Sequence, residues 1–285
     1  MAPVRGEAAS SAAGVDIRFH DAAGAIEALA HDWVRLAAEA AEPNAFAEHW
    51  FVAASLRAFA AGRDVRLLEA RRAGRLIGLL PLTIEQGYAH LPVRFVQNWY
   101  HDHAFLGTPL VAAGEERAFW AAAIEALGRS DWAPGFLHLW GIAEGGPVHR
   151  GLAKGAIVHR RFRAFLDSDL APQAYFERAV RPKKRKELRR LRNRLAEQGP
   201  IACRVLDDRD ELDAWCDAYL AMEAAGWKGQ AGSALVDDPR TESFFRDVVA
   251  AAWSAGRLQF LRLEVGARPV AMLVNFLTAP GSFSF

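Results

Sequence analysis

The chain has 285 residues, 52% of them hydrophobic and 24% charged, and a formal net charge of +1. That is enough to bury one large core or two ordinary ones, and too balanced a charge to steer the whole molecule onto nucleic acid or anionic lipid. Two cysteines, Cys203 and Cys216, exclude a disulfide scaffold and lack zinc-ligand spacing, so both thiols are expected to be buried and reduced.

No run approaches the ~20 apolar residues that span a bilayer, and the opening MAPVRGEAASSAAGVD has no continuous apolar segment, so a cytoplasmic protein without a transmembrane segment is expected. Residues 1–14, small and polar, are expected to form a disordered arm. Asp16 to His20 alternates as a strand does, and Ala22 to about Ala41 carries Ile26, Leu29, Trp33 and Leu36 at helical spacing. After the turn Glu42-Pro43-Asn44, a second helix from Ala47 to Ala60 directs Trp50, Phe51, Ala54 and Leu56 to a core, with Gly62 past its end. Val65 to Gln86 reads as a hairpin turning at Arg71-Arg72-Ala73-Gly74. Arg94 to Trp99 is another strand, leading into Tyr100-His101-Asp102-His103. Glu115 to Leu127 is a helix closed by Gly128, and Phe136–Ile142 and Ile157–Leu166 are strands. Strands alternating with helices imply an α/β chain with a mixed sheet.

The polar stretch 167–172 marks the expected boundary between a domain at 15–170 and a second at 171–285. The second begins with a long helix, Gln173 to Gln198, ended by Gly199-Pro200. A strand at Ile201–Leu206, helices at Glu211–Ala224 and Arg240–Ser254, and a strand, tight turn and strand complete it.

Setting Arg75 over Arg268 aligns VRLLEARRAGRLIGLLPLTI with LQFLRLEVGARPVAMLVNFL without a gap, so Ile77 meets Val270 and Gly78 meets Ala271. Both hairpins follow two helices and are entered through Gly and Arg, at Gly62-Arg63 and Gly256-Arg257. The shared order of elements favours an internal duplication over a chance likeness of two buried hairpins.

A strand, two helices and such a hairpin resemble the opening of a GNAT fold, and two such halves resemble the Fem-type aminoacyl transferases. The chain is more closely similar to the bacterial acetyltransferase group associated with cellulose biosynthesis, the CelD/BcsL-like proteins with a BioF-type acetyltransferase domain. Glu42-Pro43-Asn44-Ala45-Phe46, the basic helix Arg181 to Arg194, Glu223-Ala224-Ala225-Gly226-Trp227-Lys228-Gly229 and Gly256-Arg257-Leu258 carry that likeness. It implies tandem GNAT-like domains, acetyl-CoA or another acyl-CoA as co-substrate, an amine or hydroxyl acceptor such as a glycan precursor, and a link to polysaccharide or cell-envelope synthesis. It also implies that the second half is incomplete at its C-terminus, lacking the strand, turn and helix N-terminus expected to hold the CoA pyrophosphate. Gly107-Thr108-Pro109 does not replace them in the first half, since Pro109 removes a donor.

Acyl transfer to an amine needs a group to take the ammonium proton and a donor for the thioester oxygen. Glu223 is the candidate base and Lys228 a phosphate or carbonyl contact; the alternative is an ordinary helix end with Trp227 packed and Lys228 exposed. Tyr100, His101 and Asp102, with Trp227, are candidates for an acceptor pocket between the halves. His101 and His103 have the i, i+2 spacing that starts a metal site, but no third ligand is apparent and no metal is expected. The run Arg181 to Arg194, including Lys184 and Arg185, is a solvated helix face, a surface for an anionic partner such as CoA phosphates, acyl-carrier protein, a polyanion or anionic lipid, or a non-specific nucleic-acid contact. No motif for specific base readout is present. If the halves are not catalytic, the same fold serves as a binding protein for an anionic partner.

Overall fold

The computed structural model describes residues 8–10 and 14–285. Of the expected arm, Ala8–Ser10 form strand β1, antiparallel to β2 (Asp16–Asp21); the rest of it up to residue 13 lies outside the described residues. The expected first helix is two, α1 (Ala22–Ala25) and α2 (Ala30–Glu39). Asp21 caps α1 by accepting from the backbone N–H of Gly24, and Ile26, Leu29, Trp33 and Leu36 are all buried as their spacing predicts. Then come α3 (His49–Phe59), the hairpin β3 (Val65–Arg72) and β4 (Arg75–Tyr88), β5 (Leu91–Asn98), β6 (Leu110–Val111), α4 (Glu116–Arg129), β7 (Leu137–His138) and α5 (Pro147–Gly151). These strands form a mixed sheet in the order β1-β2-β3-β4-β5-β7, with β6 on β4 and only the β5–β7 pair parallel.

The second half holds α6 (Pro172–Ala179), α7 (Pro182–Ala196), β8 (Ile201–Val205), α8 (Leu212–Ala225), α9 (Trp227–Gln230), α10 (Pro239–Ser254), β9 (Leu258–Val265), β10 (Arg268–Thr278) and β11 (Gly281–Ser284). Its four strands pair antiparallel in the order β11-β10-β9-β8. The run β2-β3-β4-β5 in the first sheet has the same order and the same antiparallel sense.

The duplication is legible down to a single residue. In the first hairpin the register shifts because Ile77 is inserted between the pairs Arg71–Leu76 and Ala70–Gly78; in the second, Val270 is inserted between Glu264–Pro269 and Leu263–Ala271. Ile77 and Val270 are the residues matched by the gap-free alignment, and a bulge re-aims the strand at that point in both halves. The turns differ. Ala73 and Gly74 both have positive φ, as a type I′ turn requires, whereas in the second hairpin Gly266 alone does, as in type II′.

Two cores result. One lies between the larger sheet and α1, α2 and α4, centred on Trp33, Leu36, Leu67, Leu80, Phe119 and Trp120. The other gathers Leu212, Trp215, Phe244, Phe245, Phe260 and Phe276 from the second half together with Phe46, Trp50, Phe51 and Ala54 from the first. Helix α3 serves both, because it is apolar around nearly its whole circumference: Val52, Ala53 and Leu56 enter the first core while Trp50, Phe51 and Ala54 enter the second. Extending the hairpin alignment back places Phe51 over Phe244, and these two rings pack edge to face at 5.5 Å.

Several expectations are corrected. The strand expected at Phe136–Ile142 shrinks to β7, and Ile157–Leu166 is irregular, with Phe162 92% and Phe165 87% exposed. A β-rich composition makes a strand only beside a sheet edge, and this run lies on none. The long helix is broken at Val180-Arg181 because Pro182 takes the first helical position of α7 and forces Arg181 to an extended ψ of 145°. Gly128 lies inside α4. Cys203 is exposed on β8, while Cys216 is buried and its thiol is pushed up to about 12 by that burial.

Candidate active site

The motif Glu42-Pro43-Asn44-Ala45-Phe46 works as a knot that fixes the loop after β5. Buried Asn44 accepts from the Phe46 N–H and donates to the carbonyls of Leu106 (3.3 Å) and Thr108 (2.7 Å). Glu42 accepts from the Val148 N–H at the start of α5 (2.9 Å), and desolvation raises its carboxyl above the usual range. Phe46 reaches across to Phe283 of β11 at 4.9 Å. Beside it, buried Glu48 accepts from the Trp50 indole (2.9 Å) and from Arg257 of the second half (3.1 Å).

Held this way, Tyr100-His101-Asp102-His103 leaves β5 along the seam between the halves. His101 Nε2 shares a 2.8 Å hydrogen bond with Ser55 Oγ, which also accepts from the Trp99 indole at 2.7 Å. The imidazole stacks on Phe51, and its buried Nδ1 has no hydrogen-bond partner among the described residues. Desolvation foremost, with the neighbouring His103 adding to it, lowers its pKa to about 3, so His101 is neutral at any physiological pH. Its wall encloses a cavity of about 30 Å³ shared with Ser55, Asn98, Trp99 and Thr108. That is room enough for water. Tyr100 stacks on Trp140 at 6.0 Å, and Asp102 is exposed.

The sequence offers His103 only as half of a metal pair; the structure gives it a different setting. Its ring lies among Phe59, Phe244 and Phe285, and it feels charges from both halves. Desolvation lowers its pKa, Lys228 acts the same way, and the carboxylates of Asp102, Glu223 and Asp238 oppose them; the balance is downward. A half-buried, neutral imidazole beside several carboxylates therefore sits where the halves meet. The signal that could have found it is the Tyr-His-Asp-His run itself, read as a loop facing the second half. Among the described residues no group of three or more His, Cys, Asp or Glu side chains is arranged to hold a metal ion.

On the second half, Glu223 lies near the end of α8 with its side chain almost buried. One carboxylate oxygen pairs with Lys228 Nζ at 2.5 Å and the other accepts from the Leu235 N–H at 2.8 Å. The glycines of Gly226-Trp227-Lys228-Gly229 make this possible. Gly226 ends α8 so that α9 can start at once, and a Cβ on Gly229 would stand 1.8 Å from the Ala224 carbonyl oxygen. Trp227 is 72% exposed, so it is not the packed residue of the ordinary helix-end reading. Tyr100 and His101 thus lie along the seam, Asp102, Glu223 and Lys228 act electrostatically on His103 beside them, and Trp227 stands exposed on α9.

Lys184 and Arg185 are not part of this cluster. Lys184 pairs with Glu187 on α7, and Arg185 donates to the Glu177 carbonyl of α6. Nor does the Gly107 loop form an anion cradle. A Cβ on Gly107 would meet the Trp140 carbonyl oxygen at 2.1 Å, and α4 begins with Glu115 and Glu116, the latter accepting from the Gly114 N–H.

Among the described residues no helix is long and apolar enough to cross a membrane. No curated protein matches the sequence. Residues 182–279, from the start of α7 to just beyond β10, match the family model for an acetyltransferase (GNAT) domain, so this stretch of the second half is similar to GNAT-type acetyltransferases.

Proposed function

We propose that the chain transfers an acyl group from an acyl-CoA, acetyl-CoA in the first instance, to an amine or hydroxyl acceptor held at the seam, within domains at 15–170 and 171–285. The observation that carries this reading is the placement of His103 between Phe59 of the first half and Phe244 and Phe285 of the second, its pKa lowered by burial against the pull of Asp102, Glu223 and Asp238, beside a stretch that matches an acetyltransferase domain. A bound acyl thioester supplies the electrophilic carbonyl. An imidazole nitrogen of His103 takes the proton that the acceptor nitrogen sheds as its bond to the acyl carbon forms and the bond to sulfur breaks; the proton then leaves with the thiolate. Asp102 and Glu223 stabilise the imidazolium formed in that step. Glu223 is less suited to the role of base, because both its oxygens are engaged, by Lys228 and by the Leu235 N–H. It positions the loop that carries Lys228 and Trp227.

For the donor's phosphates the helix N-termini differ: the first turns of α4, α8 and α10 carry Glu116, Asp213 and Glu242, which repel phosphate, whereas that of α7 has no acidic residue and carries Lys183 and Lys184. No step here depends on that contact. The likeness to the CelD/BcsL-like group makes amine- and hydroxyl-bearing glycan precursors the first acceptors to try.

Calorimetric titration with acetyl-CoA, followed by a thiol-release assay over a panel of amines, tests the proposal. His103→Gln is expected to lower kcat by about 10²- to 10⁴-fold, the usual worth of a general base, and to leave donor binding intact. Turnover unchanged in that variant, or no detectable donor binding, overturns it. A second use, the docking of an anionic partner at Arg181–Arg194, is favoured by the exposure of most of α7, which has no buried residue.

A further inference from the structure

Between Arg181 and Arg194 nine cations stand against one carboxylate, Glu187. At 100° per residue, Leu188, Leu191 and Leu195 share one face of α7, and most of the cations occupy the remainder. A helix with an apolar face ordinarily buries it, since packing supplies most of a helix's stability in water. Here Leu188 and Leu191 are exposed, and so is Phe176 on α6, which likewise has no buried residue. The irregular segment leading into α6 displays Val158, Phe162, Phe165 and Leu166, interleaved with Arg160, Arg161 and Arg163. One stretch of the chain, 157–194, therefore presents large apolar side chains and dense positive charge together.

Phosphate contacts alone account for the cations and leave the phenylalanines unexplained. An acidic surface with an apolar interior beneath it meets both requirements: cations settle among anionic headgroups while Phe and Leu side chains enter the acyl boundary. From this complementarity we infer that residues 157–194 form a peripheral docking surface for an anionic lipid bilayer. The inference deepens the anionic-partner reading of α7 and rests on it.

The test is co-sedimentation of the full chain with vesicles of phosphatidylcholine alone and of phosphatidylcholine containing one-third phosphatidylglycerol, with polyuridine titrated separately. Binding to the phosphatidylglycerol vesicles alone, weakened by added salt, is expected. Replacing Lys183, Lys184, Arg185 and Lys186 together by Gln should weaken that binding by at least about a hundredfold, at about fivefold per cation. Phe162→Ser with Phe165→Ser should also weaken it, with circular dichroism unchanged because both residues are exposed in the free protein. Binding to polyuridine that the Phe variant does not alter, with no binding to vesicles, overturns the lipid assignment and leaves an anion-binding helix. Binding to neither probe overturns both readings. Equal binding to neutral vesicles removes the role of the cations and also overturns the proposal.

Discussion

At the scale of single residues, His101 couples the seam to pH. Its folded-state pKa, about 3, lies below the ordinary 6.5, so the histidine favours the unfolded chain whenever it must be protonated. Its contribution to stability is therefore complete above pH 6.5 and is lost as the pH falls toward the folded-state value. His103 and His138 are lowered by burial and act with the same sign. The carboxylates whose pKa is lowered, Asp32, Glu69, Glu144 and Asp238, start from 3.8 or 4.5 and enter only at lower pH, whereas Glu42, whose pKa is raised, acts with the opposite sign toward the foot of the window from 6.5 to 4.5, so the share of His101 is read as the difference between the parent and its variant. Urea denaturation across that window should show stability falling with pH, and His101→Gln should remove about 1.4 kcal/mol per pH unit of that slope. An unchanged slope would show that His101 is not held neutral. Gly229 is the corresponding steric case. Gly229→Ala must displace the Ala224 carbonyl, and is expected to cost about 1–3 kcal/mol and to detach Lys228 from Glu223. Denaturation midpoints at unchanged m-value would measure it.

At the scale of elements, the two hairpins share a bulge but not a turn, and this exposes a strain. Ala73 adopts a φ of 48° that Gly266 adopts freely at the equivalent place. Ala73→Gly should relieve the left-handed strain at the cost of a more flexible unfolded chain, for a net gain below about 1 kcal/mol in thermal or chemical denaturation. The comparison of hairpins also shows what could be read from sequence. The alignment through Ile77 and Val270 found the repeat because bulge and strand length are written in local pattern. The helices of the second core were legible too: those expected at Glu211–Ala224 and Arg240–Ser254 form at Leu212–Ala225 and Pro239–Ser254. Ile157–Leu166 was not, because an alternating pattern states a preference for pairing and not the presence of an edge. Nor was the bound state of Glu223. Its partners, Lys228 and the Leu235 N–H, come together only once Gly226 and Gly229 have folded α9 back on α8. His103 gained its setting from Phe244, Phe285 and Lys228, more than a hundred residues away, which no local pattern records.

At the scale of the molecule, the halves are joined by exchange of apolar surface more than by charge. Ion pairs cross the seam at Glu48–Arg257 and Arg57–Asp247, the second exposed and worth little. The larger tie is α3, whose Phe51 touches Phe46 and Trp50 on its own side and Phe244 and Phe276 on the other. Because one helix completes both cores, neither can open while the other stays intact, and a single cooperative unfolding transition is expected even though the chain contains two sheets. Phe51→Ala should cost about 3–5 kcal/mol and lower the whole transition as one, since the cavity it leaves lies in the second core against the helix that also completes the first. Arg257→Ala should cost about 1–3 kcal/mol, less than the loss of a fully buried partner, because Arg257 itself is part-exposed while Glu48 is not. Far-ultraviolet dichroism and tryptophan fluorescence, followed together through denaturation, decide between the alternatives. Coincident curves in both variants fit the shared helix; curves that separate, with the larger sheet surviving the Phe51 substitution, would show two independently folding halves merely in contact.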